Sequence, residues 1–126
     1  MSFSAPAALS AVAFDLDDTL AASKSPMDPA MSAALARLLG RTSVCIISGG
    51  RFEQFELQAL STFSASEDAM SRLHLMPTCG TRYYLWQGGE WVMQYAEDLT
   101  DDEKARTIST LEAGARELGL WHPGSW

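Results

Sequence analysis

The first clear hydrophobic pattern is "LSAVAF" (residues 9–14), a short apolar run bounded by polar residues, which predicts a buried strand. In "SPMDPAMSAALARLLG" (25–40) the period changes, and Met31, Leu35, Leu38 and Leu39 fall on one helical stripe. Asp28 is placed to cap this helix, Pro29 to take its first position and Gly40 to end it. "TSVCII" (42–47) predicts a second buried strand. It runs into a Ser48-Gly49-Gly50 turn that opens a helix with Phe52, Phe55, Ala59 and Leu60 on one side. Residues 61–72, small and polar, read as a loop or a ragged helix end, and "LHLMP" (73–77) as a third parallel strand closed by Pro77.

Strand, helix, strand, turn, helix is the order of a parallel sheet with helices packed on it, an α/β fold. Strands that are apolar throughout, rather than alternating, fit a sheet covered on both faces. After Pro77 the texture changes. "TRYYLWQGGEWVMQY" has two aromatic arms around Gln87–Glu90 and predicts a β-hairpin, with Trp86 and Trp91 as a cross-strand pair. Thr100 and Glu103 then form a capping box for a helix carrying Ile108, Leu111, Ala115 and Leu118, with Gly119 at its end.

Composition narrows the class. The chain has 126 residues, about one domain, and 47% of them are hydrophobic. Nine Lys and Arg against 16 Asp and Glu leave a net charge of −7, which argues against a nucleic-acid partner. An anionic substrate would need a local cation. No apolar run reaches a membrane span, and "MSFSAPAALSAVAF" lacks the charged start of a signal peptide. Cys45 and Cys79 have no CxxC spacing and read as free thiols, so a cytoplasmic protein is expected.

The candidate chemistry lies at the strand ends, where open α/β sheets bind ligands. The first strand ends at Asp15-Leu16-Asp17-Asp18-Thr19 and the second at Ser48-Gly49-Gly50. If strand geometry persisted, Asp15 and Asp17 would face one side and Asp18 the other. Converging carboxylates suit Mg²⁺, and Ser48 with two glycine amides at a helix start suits an anion. Together they describe phosphoryl transfer through an aspartyl-phosphate. Each piece has a plain alternative: an Asp-rich turn that only caps, or a tight strand-to-helix turn.

"FDLDDTL" resembles the DxDxT motif of the haloacid dehalogenase-like superfamily, and "IISGG" resembles its second motif. "TCGTRYYLWQGGEWV" is similar to the hairpin that follows the third strand in cap-bearing members, the sugar-phosphate phosphatases and eukaryotic-type phosphomannomutases. Cys79 stands where many of those have Asn. The resemblance implies the N-terminal half of a Rossmann-like parallel-sheet core over residues 1–80, followed by the start of an α/β cap over 81–126. It implies Asp15 as nucleophile and Mg²⁺ ligand, and Asp17 as general acid/base and second metal ligand, through its backbone carbonyl. Thr19 would orient the loop near the phosphate and Ser48 would bind the phosphoryl oxygens. From their place at the same turn, the Gly49 amide could join it, and Arg51 is either a further phosphate contact or a surface residue. The superfamily's third and fourth motifs would follow the cap, so the 126-residue chain carries half the expected site.

The implied activity is Mg²⁺-dependent hydrolysis of a sugar phosphate. A phosphomannomutase-like phosphosugar mutase and a non-catalytic interaction module are the alternatives. His74, Lys104, Arg82 and the first-turn pair Asp101 and Asp102 read as structural or surface residues. In such a core, strands from after the cap flank the first strand. Its free edge in this chain therefore predicts self-association, or covering by residues 1–8.

Overall fold

In the computed structural model, residues 9–124 are described. Strand β1 (Ala11–Phe14) is followed by helix α1 (Pro29–Leu39) and strand β2 (Ser43–Ile47). Helix α2 (Phe52–Phe55) continues directly into a π-helical turn, Glu56–Leu60, where a plain α-helix was expected. Residues 61–72 are not all loop. Ser66 accepts from the Ala69 amide at 3.2 Å and caps a one-turn helix α3 (Glu67–Met70), a cap hidden in a Ser-rich stretch. Strand β3 (Leu73–Met76), the hairpin β4 (Arg82–Gln87) and β5 (Glu90–Ala96), and helix α4 (Asp101–Glu117) complete the order.

One five-stranded sheet runs β1-β2-β3-β4-β5. β1, β2 and β3 are parallel, while β4 and β5 are antiparallel. The hairpin therefore extends the same sheet: His74 pairs with Leu85 and Leu75 with Tyr84. Trp86 lies opposite Trp91, their rings edge-on at 5.3 Å. This is the mostly parallel α/β fold that the sequence predicts.

Helix entry follows the expected chemistry. Asp28 accepts from the Met31 amide at 2.8 Å, and Pro29 fills the first position of α1. Leu35 and Leu39 of α1, Phe55 and Ala59 after β2, and Ala69 of α3 then bury against Val44, Ile46, Leu73 and Leu75. Each large side chain buried this way contributes about 1.5–3 kcal/mol. Those sheet residues share one face by the strand alternation. The alternate positions, Cys45, Ile47, His74 and Met76, are half-buried or exposed, and Ile47 is 37% exposed. Among the described residues one face of the sheet is covered, not two. The apolar run of β2 does not by itself say which element supplies the second cover.

β1 lies at the edge of the sheet. Both cysteines are free. No helix among the described residues is long and apolar enough to cross a membrane.

Candidate active-site cleft

The acidic loop is wound around one carbonyl. Strand geometry stops at Phe14, and the Leu16 carbonyl accepts from the amides of Thr19, Leu20 and Ala21 at 3.0–3.3 Å. Leu16 itself is fully buried and anchors the turn. The strand does not continue through the aspartates, and each carboxylate takes its own hydrogen-bond partners. Asp18 takes a left-handed backbone (φ 57°), which Asp tolerates better than most residues, and points its carboxylate at the Ser23 amide. Asp15 is exposed, with Oδ1 accepting from the Leu16 amide at 2.8 Å.

Asp17 turns toward the second strand end. It lines an open cleft of about 610 Å³ together with Lys24, Ser48, Gly49, Gly50, Arg51, Glu53 and Gln54. The structure thus joins four of the expected site residues, Asp17, Ser48, Gly49 and Arg51. Asp15 and Thr19 are not among the lining residues of this cleft. Thr19 lies instead beside Leu20 and Met31, against α1.

The Ser48-Gly49-Gly50 turn is tied to the end of β3. The Ser48 carbonyl accepts from the Cys79 amide and the Gly50 carbonyl from the Thr78 amide, each at 2.9 Å. A Cβ on Gly50 would stand 2.5 Å from Gln54 Oε1, so glycine is what lets Gln54 fold back against the turn. Thr78, Cys79 and Gly80 all have left-handed backbones, and Cys79 Sγ lies near Gly49.

Asp17 is the most constrained carboxylate of the cleft. Gln58 Nε2 donates to Oδ1 at 2.8 Å, and Lys24 Nζ donates to Oδ2 at 3.2 Å. The Lys24 amide adds a longer bond to Oδ1 at 3.3 Å. The Gln58 bond, then the Lys24 bonds, outweigh partial desolvation and hold the carboxyl below its ordinary pKa. Lys24 and Gln58 are site residues that sequence reasoning missed. Lys24 sits in a neutral loop, and Gln58 is one polar position on a helix face. Only its spacing of four from Gln54 hints at a polar row.

Carboxylate oxygens of this kind suit a hard cation such as Mg²⁺, and Oδ2 of Asp17 already faces the Lys24 ammonium. The described residues bring no three His, Cys, Asp or Glu side chains together, so they offer part of a coordination shell. The remaining singled-out residues are occupied elsewhere. Arg82 makes a two-bond pair with Asp98 at 2.7 and 3.0 Å, and His74 Nδ1 lies 2.6 Å from the Tyr83 hydroxyl. Lys104 lies 3.9 Å from Asp101 on the surface of α4.

No protein-family model and no curated protein sequence matches the chain. Solved structures do match by shape. An IMP-nucleotidase from Plasmodium falciparum matches 86% of this chain with a TM-score of 0.66 at 12% identity. A haloacid dehalogenase-like hydrolase from B. subtilis matches 86% with a TM-score of 0.60 at 17% identity. Another from Bacteroides thetaiotaomicron matches 85% with a TM-score of 0.52 at 18% identity. The chain spans 30%, 34% and 37% of those proteins, about a third of each. The likeness is one of fold: the chain is similar in shape to about a third of these haloacid dehalogenase-like structures.

Proposed function

We propose that the protein carrying this chain is a phosphate monoester hydrolase that acts through an aspartyl-phosphate, with a sugar phosphate as the favoured substrate. The observation that supports this reading is the meeting of Asp17 with Ser48, Gly49 and Arg51 in one cleft, at the carboxyl ends of adjacent parallel strands.

In this reading Asp15 is the nucleophile. Its carboxylate oxygen attacks phosphorus, the bond to the leaving oxygen breaks, and that oxygen takes a proton from Asp17. Water then attacks the acyl phosphate, returns a proton to Asp17 and frees inorganic phosphate. Ser48, the Gly49 amide and Arg51 hold the phosphoryl oxygens. Asp15 through its carboxylate and Asp17 through its backbone carbonyl are the residues that would hold Mg²⁺, which when bound would offset the negative charge between carboxylate and phosphoryl group. Residues from about 81 onward are proposed to lead into the cap that selects the sugar.

The test is a panel of sugar phosphates, nucleoside monophosphates and a sugar bisphosphate, assayed with and without Mg²⁺ on the full protein and its Asp15→Asn variant. Asp15→Asn keeps the shape and removes the attacking charge. Phosphate release is expected to fall by several orders of magnitude. Near-normal turnover in that variant would remove Asp15 from the mechanism. Transfer of phosphate back to the sugar, rather than to water, would mark a mutase.

A further inference from the structure

Gln58 is the most deeply buried polar side chain near the cleft, with no exposed surface. It comes from the π-helical turn after α2 and reaches across to the acidic loop. Its Oε1 accepts from Gln54 Nε2 at 2.6 Å. Its Nε2 faces Asp17 Oδ1 at 2.8 Å, the Ser25 carbonyl at 3.2 Å and the Ala22 carbonyl at 3.4 Å. A buried amide costs free energy unless its donors and acceptor are met, and here they are. An apolar side chain would fill the same space without that requirement. The amide does what an apolar group could not: it takes one oxygen of Asp17 and leaves the other, Oδ2, at the Lys24 side of the cleft.

We propose that Gln58 is a positioning residue for Asp17, fixing its carboxylate relative to the Ser48-Gly49-Gly50 turn. This rests on the proposed role of Asp17 in phosphoryl transfer. Just beyond these two segments the chain is clipped again by Thr62, whose hydroxyl donates to the Met27 carbonyl at 3.1 Å without touching Asp17. Thr62 therefore separates holding the loop from aiming the carboxylate.

The experiment measures kcat and KM for p-nitrophenyl phosphate in the full protein and in Gln58→Met and Thr62→Val. Gln58→Met preserves length and removes the donor. It is expected to lower kcat by about 10²-fold, the scale of a misplaced catalytic group, with KM little changed because Gln58 does not line the cleft. Thr62→Val is expected to lower Tm and keep kcat. A Gln58→Met enzyme with wild-type kcat, or a Thr62→Val enzyme that loses as much, overturns the inference while the hydrolase reading stands. A wild-type protein that hydrolyses no phosphate ester overturns both. Should Gln58→Met fail to fold, proton–nitrogen correlation spectra of the wild type and Asp17→Asn give a second reading. The Gln58 side-chain amide signals are expected to move on Asp17→Asn, and unmoved signals overturn the contact on which the inference stands.

Discussion

Helix α1 repeats Met31, Leu35, Leu38 and Leu39 along one face, and α4 repeats Ile108, Leu111, Ala115 and Leu118 along one of its own. Leu39 of α1 is fully buried, whereas Leu111 of α4 is 68% exposed, and no residue of α4 is buried. The hydrophobic period reports an amphipathic helix and says nothing of its partner. α1 joins two parallel strands, so its connections bring its stripe down on the sheet. α4 leaves an antiparallel hairpin that needs no crossover. What holds α4 is local: the Thr100–Glu103 capping box, three acids in its first turn and an Arg116–Glu112 pair near its end. Arg116 also lies over the Trp121 ring at 5.0 Å.

Truncating one leucine in each helix tests this contrast most severely. Leu39→Ala is expected to cost about 2–5 kcal/mol, through lost burial and the cavity left behind. That is a large share of the roughly 5–15 kcal/mol of a typical domain. Leu111→Ala is expected to stay within about 0.5 kcal/mol. Urea unfolding followed by circular dichroism measures both. If the two costs are similar, α4 is packed against something in solution and the contrast fails.

Removing the caps sharpens the comparison with smaller effects. Thr100→Ala should weaken α4 by about 1 kcal/mol. The loss should show in hydrogen exchange of α4 amides and leave β2 amides untouched, since α4 adds no residue to the core. Asp28→Ala, at the cap of the buried helix, should instead lower the protection of β2 as well, because α1 unfolds with the core. Equal responses of β2 to both variants would show that the two helices share one cooperative unit.

Much of the fold was legible because its signals are local. The Asp28 and Thr100 caps, the two stripes, the strand at "TSVCII" and the Trp86–Trp91 hairpin each sit within a few residues of their own evidence. The site was legible only in part. Ser48, Gly49, Arg51 and Asp17 could be placed together from the rule that strand ends converge. Asp15 and Thr19 are not among the residues lining the cleft, and the winding of the loop around the Leu16 carbonyl is not written in the DxDxT spacing. Gln58 was invisible because its contact with Asp17 spans 41 residues and depends on the π-helical turn. The second cover for the sheet was expected from continuous apolar strands, yet such strands show only that both faces are apolar.

The smallest expected effect is a pH dependence confined to α4. Glu103 accepts from the Thr100 amide at 2.8 Å and the Thr100 hydroxyl at 3.1 Å. The amide bond, then the hydroxyl bond, hold its carboxyl below the ordinary range. Protonation is thus easier when the helix is frayed than when it is capped. The stabilisation is whole above the ordinary Glu pKa of about 4.3 and is lost as pH falls through the depressed folded value. Protection factors in the first turn of α4 should therefore fall in acid, measured against those at neutral pH. Glu103→Gln keeps a side-chain acceptor without the charge, so it should flatten that dependence. A first turn equally protected in acid and at neutral pH would show that α4 is held by more than its cap, which would return it to the company of α1.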